Sequence, residues 1–200
     1  MGIQTVTGQI SGNDCGITLP HEHLLFDLSC WCRTPTEATR IAIAEAPVTM
    51  ENLGEIRRDA ILSRDNVRQL DVELAIKELM YYKRAGGNTL VDVTSIGLGR
   101  DAEALKAISI ATGINIVMGC GYYFEGPHLG YLKQQSIDEI QLVIKRDLTE
   151  GVGNTGIRSG IIGEIGTSGP VTETEEKVLR AAARAHIKTK VAICVHPDAF

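Results

Sequence analysis

From about residue 65 onward the chain alternates between two hydrophobic periods, and this alternation limits the fold more than any other feature. The stretch "DVELAIKELMYYKRAGG" sets Leu74, Ile76, Leu79, Met80 and Tyr82 on one apolar stripe, opens near Asp71 and stops at Gly86-Gly87, as an amphipathic helix does. A short β-branched run, "NTLVDVTS", follows and reads as a buried strand. The cycle then repeats. Asp101 to Thr112 reads as a helix closed by Gly113, followed by the strand "INIVMGCGYY". Ser136 and Glu139 form a capping box for a helix reaching about Glu150, and "GIIGEIG" is the next strand. Thr172 and Glu175 form another, for a helix through about His186, and "KVAICVHP" is the last strand.

With "GITLPHEH" as the first, five strands are expected, joined by helices at βαβ spacing. Such a pattern predicts an α/β fold with a parallel sheet and right-handed crossovers. The first connection is long and holds one or two helices broken at Pro47. No linker rich in Pro, Gly or Ser divides the chain, so residues 1–200 read as a single domain. "GVGNTG", Gly151 to Gly156, matches a dinucleotide-binding pattern, but it follows a helix and precedes a strand. That order is the reverse of what a phosphate cradle requires, so it reads as a loop.

Composition narrows the function. A net charge of −5, with no basic run longer than two residues, argues against a nucleic-acid surface. No apolar window is long enough to span a membrane, and the opening "MGIQTVTGQISGNDCG" lacks the pattern of a secretory signal, so a cytoplasmic protein is expected. Five scattered cysteines, Cys15, Cys30, Cys32, Cys120 and Cys194, fit free thiols there.

The residues with chemical potential fall at the C-terminal ends of the inferred strands, where parallel α/β folds assemble their sites. His21 and His23 end the first, Asp92 and Thr94 lie in the second, Tyr122 and Tyr123 end the third, Glu164 interrupts the fourth and His196 ends the fifth. Side chains two apart on a strand share a face, so His21 and His23 project together while Glu22 points away. An isolated H-x-H is more often an ordinary surface or core pair than a metal site. A carboxylate in a buried strand, however, costs several kcal/mol unless it is paired or metal-bound. A salt bridge to a Lys or Arg is the other reading of Glu164, and a strand-end cap that of His196. Asp92 either orients a histidine or holds a neighbouring loop. His128 and His186 read as solvated bystanders. Three histidines and a carboxylate on neighbouring strand ends suit zinc, with manganese, cobalt or iron as other occupants.

The segments "GITLPHEHLLFD", "GGNTLVDVTSIGLGRD", "GIIGEIGTSGPVTETEEKVLRAAARAH" and "VHPDAF" together resemble the phosphotriesterase branch of the amidohydrolase superfamily. The resemblance implies a (β/α)8 TIM barrel, here truncated after about five strands. It also implies a binuclear centre of two divalent metal ions, with His21 and His23 on the more buried ion, Glu164 bridging, and His196 on the more exposed one. Tyr123 matches an aromatic beside the metals in the substrate pocket. The family's sixth-strand histidine and eighth-strand aspartate have no counterpart within these residues. The implied activity is hydrolysis of a small-molecule ester, lactone, amide or phosphoester by metal-activated water, with Glu164 as the central catalytic group. The rival expectation is a non-catalytic half-barrel that binds metal or a partner. Weak metal binding and little turnover are expected of these 200 residues alone. The unpaired apolar edge of the last strand would invite aggregation or pairing with another chain, a homodimer included.

Overall fold

A computed structural model describes residues 2–126 and 130–197. The chain opens with an antiparallel hairpin, β1 (Gly2–Thr5) and β2 (Gly8–Ser11). The main sheet is built from β3 (Ile17–Glu22), β6 (Gly87–Asp92), β7 (Asn115–Cys120), β8 (Ile161–Gly166) and β9 (Ile193–His196), in that spatial order and parallel throughout. A short antiparallel pair, β4 (Phe26–Asp27) with β5 (Arg68–Gln69), lies in the long first connection. The order in the main sheet follows the order in the chain, so each strand is added on the same side of its predecessor. That is the winding of a barrel, and these five strands make half of one.

The expected punctuation holds where it has a mechanism. Asp71 caps α3 (Val72–Arg84) and Asp101 caps α4 (Ala102–Thr112), each accepting a bond from a backbone N–H three residues on. Gly113 ends α4 with a φ of 66°, a left-handed conformation that costs glycine little. Ser136 with Glu139 starts α6 (Ile137–Thr149), and Thr172 with Glu175 starts α7 (Glu173–Thr189), both as full capping boxes. The first connection carries α1 (Ala38–Glu45) and α2 (Leu53–Arg58) on either side of Pro47, and residues 151–156 form a loop between α6 and β8.

Several expectations need correction. Helix α7 continues to Thr189, past His186, whose Nδ1 lies 2.8 Å from the Val191 carbonyl oxygen. Leu74 is 44% exposed, because α3 turns Ala75, Ile76 and Leu79 toward the sheet instead. Strand β3 ends at Glu22, so His23 lies just beyond it, and Tyr122 and Tyr123 lie beyond β7. The hairpin at residues 2–11 and the short helix α5 (Tyr131–Gln134) carry no strong periodicity and were not expected. His128 lies outside the described residues.

The core sits between sheet and helices in two clusters. One packs Ala75, Leu79, Leu105 and Ile108 of α3 and α4 against Leu90, Ile116 and Met118 of β6 and β7. The other packs Ile140 and Ile144 of α6 and Ala181, Ala182 and Ala185 of α7 against Ile162 and Ile165 of β8. The alanine row leaves α7 no side-chain bulk there, so its backbone can approach closely. Between α4 and α6, Arg100 pairs with Asp147 at 2.9 Å, both nearly buried. At the start of β7, the Val6 N–H donates to the Ile116 carbonyl, which fastens the turn of the hairpin to the N-terminal end of the sheet. The opposite end is left to the strand-terminal polar residues.

Candidate metal centre

Ile162 and Ile165 belong to one apolar cluster although they are three residues apart, a separation that would put them on opposite faces of a regular strand. The register between β7 and β8 slips here, with Cys120 opposite both Ile162 and Gly163. Two residues facing one is a β-bulge, and bulges re-aim side chains beside functional sites. The bulge lets both isoleucines bury against the helices while Glu164 turns to the other face. It needs glycine. Gly163 has a φ of 130°, and a Cβ there would lie 2.4 Å from the Cys194 carbonyl oxygen. One on Gly119 would lie 2.0 Å from the Gly163 carbonyl oxygen. The Glu164 N–H donates to the Val93 carbonyl at 2.9 Å, which anchors the bulge to the end of β6.

So aimed, the Glu164 carboxylate is 1% exposed and meets three imidazoles. Its Oε2 lies 3.0 Å from His21 Nε2 and 2.9 Å from His196 Nδ1, and its Oε1 lies 3.4 Å from His23 Nε2. Among the described residues its ion-pair partners are these histidines, with no Lys or Arg. The salt-bridge reading of Glu164 is therefore not the arrangement seen. Donor atoms of His21, His23 and Glu164 lie within 4.8 Å of one another, and His196 adds a third imidazole on Oε2. Nitrogen and carboxylate oxygen donors converging from three strands on one buried anion fit a divalent cation.

The surroundings hold this set in place. Asp92, fully buried, touches neither histidine ring through a hydrogen bond. It accepts from the Leu24 N–H at 2.8 Å and the Thr94 N–H at 3.0 Å, so of its two expected roles it takes the loop-holding one. Burial pushes its carboxyl above the usual range, against the pull of these bonds. His23 Nδ1 lies 2.9 Å from the Thr94 hydroxyl and His21 Nδ1 lies 3.7 Å from the Cys194 thiol. Burial lowers the pKa of His23, outweighing the attraction of Glu164, and so favours the neutral ring that metals require.

Tyr123, 5% exposed, stands 5.6 Å from the His196 ring, centroid to centroid. Burial and then the Glu164 charge push its hydroxyl up to about 12, so it stays protonated. Trp31 stacks on Phe124 at 4.3 Å and meets Tyr123 edge-on at 6.3 Å. Neither Trp31 nor Cys194 emerged as a candidate from the sequence. Trp31 sits in an irregular connection with no periodicity to place it. Cys194, two residues before His196 on one strand, was open to the same spacing rule that paired the first two histidines.

A profile of the Phosphotriesterase family matches residues 1–200. The chain belongs to this family. It is 37% identical over 196 residues to the human N-acetyltaurine hydrolase, covering 98% of this chain and 56% of the relative. It is equally identical, over 197 residues, to a phosphotriesterase-related protein of Nematostella vectensis. Among solved structures, a resiniferatoxin-binding protein of Rhodobacter sphaeroides superposes with a TM-score of 0.95 at 42% identity, covering 98% of this chain and 55% of the other. A mutant PTE-like lactonase of Deinococcus radiodurans superposes with a TM-score of 0.72 at 28% identity, covering 98% and 54%. The chain thus spans about half the length of the relatives it matches. No helix among the described residues is long and apolar enough to cross a membrane.

Proposed function

We propose that this chain contributes the first five barrel strands, with the helices between them, of a metal-dependent hydrolase whose binuclear centre would be bridged by Glu164. The observation that carries the reading is a fully buried carboxylate meeting three imidazoles at 2.9–3.4 Å. His21 and His23 would hold one ion and His196 the other, with the Glu164 carboxylate shared between them. Zinc suits these donors best, with manganese, cobalt or iron as alternatives. Divalent metals bound there supply Lewis acidity, which lowers the pKa of water and polarises a carbonyl or phosphoryl oxygen.

The chain's own residues do the rest. The buried carboxylate neutralises part of the charge it gathers, and the neutral His23 ring offers its lone pair at neutral pH. Tyr123 keeps its proton and so can donate a hydrogen bond to a substrate oxygen beside His196. A glutamate bridge, together with relatives named as an N-acetyltaurine hydrolase and a PTE-like lactonase, favours a carboxylic ester, lactone or N-acyl amide over a phosphotriester.

A second reading is a non-catalytic half-barrel that binds metal or a partner. One experiment separates the two. Bound zinc, manganese and iron are measured on the purified chain, and hydrolysis is assayed on an ester, lactone and N-acyl amide panel beside Glu164→Ala. About two ions per chain with Glu164-dependent turnover supports the hydrolase. Less than one ion and no turnover supports the half-barrel.

A further inference from the structure

The two imidazoles of the H-x-H pair are gripped at both nitrogens, and the outer grips share an unusual chemistry. Each Nε2 faces the Glu164 carboxylate, at 3.0 Å for His21 and 3.4 Å for His23. Each Nδ1 faces a group that can either donate or accept a proton: the Thr94 hydroxyl at 2.9 Å and the Cys194 thiol at 3.7 Å. These come from opposite sides, Thr94 from just beyond β6 and Cys194 from β9. Thr94 is 1% exposed and its backbone is fixed by Asp92. Cys194 lies against Gly163, where a side chain would collide with it.

A neutral imidazole carries one proton. Without metal, the carboxylate at Nε2 and the hydroxyl or thiol hydrogen at Nδ1 act together to favour Nε2–H, with Nδ1 accepting. With metal on Nε2, the proton must sit on Nδ1, which then donates. A carbonyl or carboxylate at Nδ1 could serve only the second state. A hydroxyl or thiol serves both by rotating its own hydrogen.

We infer that Thr94 and Cys194 are positioning residues that hold His23 and His21 in both tautomers, reversing from donor to acceptor as metal enters. This rests on the metal reading of the site. The ring's proton count is unchanged: one proton leaves Nε2 and one reaches Nδ1 through solvent.

The test is a zinc titration of the chain, followed by long-range proton–nitrogen spectra of the imidazoles, in wild type, Thr94→Val, Thr94→Ser, Cys194→Ala and Cys194→Ser. In wild type both rings should pass from Nε2–H to Nδ1–H as zinc is added. Thr94→Val, nearly isosteric, should weaken zinc binding at least about tenfold, the usual result of losing a partner behind a ligand, and Thr94→Ser should restore it. Cys194→Ala should weaken it less, about threefold to tenfold, since sulfur bonds are weaker. In the metal-free spectra the Val and Ala variants should show the affected ring as a mixture of tautomers. If both variants bind zinc within about twofold of wild type, with unchanged ring tautomers, the inference is wrong and the metal site stands. If wild type binds no zinc, the metal reading fails. The reversal then falls with it, and the metal-free spectra decide the donor role alone, which a single unchanged tautomer in both variants overturns. Should Thr94→Val fail to fold, the metal-free wild-type spectrum decides, and an Nδ1–H tautomer for His23 refutes the donor role of Thr94.

Discussion

Replacing Glu164 by glutamine should separate the cost of the site from its purpose. The side chain keeps its shape but loses its charge, and the carboxylate is 1% exposed with imidazoles as its partners. A buried carboxylate without a fixed cation pays a desolvation cost of several kcal/mol. Glutamine avoids that cost and still hydrogen-bonds, so the metal-free variant should be within about 1 kcal/mol of wild type. Metal reverses the comparison. Zinc at a hundredfold above its Kd stabilises a folded chain by about 2.7 kcal/mol. For a chain of this size each kcal/mol moves Tm by about 2–4 °C, so wild type should gain about 5–11 °C. The glutamine variant should gain almost nothing at the same zinc concentration, because a neutral amide is a poor bridge. Thermal melts with chelator and with zinc measure both halves. A variant that zinc stabilises as much as wild type would refute the bridging role. A metal-free variant that melts far below wild type would instead make Glu164 a structural group.

Glu175, 1% exposed, accepts bonds from the Ser168 hydroxyl and from the backbone N–H groups of Ser168, Thr172 and Glu125. Burial alone would raise its pKa, but these bonds hold it below the ordinary 4.5. Its contribution is complete above that value and lost as pH falls through the lower folded value, because the unfolded chain then binds the proton more readily. Glu175→Gln should cost about 2–4 kcal/mol at neutral pH and flatten the acid limb of a Tm–pH profile. Arg100→Met leaves Asp147 buried without its partner and should cost about 3–5 kcal/mol in urea unfolding. Tyr123→Phe should leave zinc affinity unchanged and lower kcat/KM about tenfold on any substrate the chain turns over, the worth of one hydrogen bond.

Much of this was legible in the chain because its signals are local. The helix starts at Asp71, Asp101, Ser136 and Thr172 follow from side chains that satisfy backbone N–H groups within one turn. Period-2 spacing paired His21 with His23, and the bound on charge burial singled out Glu164. Where sequence reasoning failed, the signal was weak or non-local. The hairpin of β1 and β2 is too short and too polar to announce itself, and the exposure of Leu74 depends on how α3 is rotated against its neighbours.

The sequence by itself determined the order of strands and helices, and a set of ligand types at strand ends, because hydrophobic period and capping act over a few residues. Only the tertiary structure decided which way Glu164 points. Strict alternation along β8 would put it on the same face as Ile162, among the helices. The slip at Gly163, made possible by two glycines and tied to Val93, turns it inward. The same holds for Thr94 and Cys194, which reach the two histidines from sites 71 and 173 residues away in the chain. No local rule carries that information, because it arises from how neighbouring strands are registered against one another.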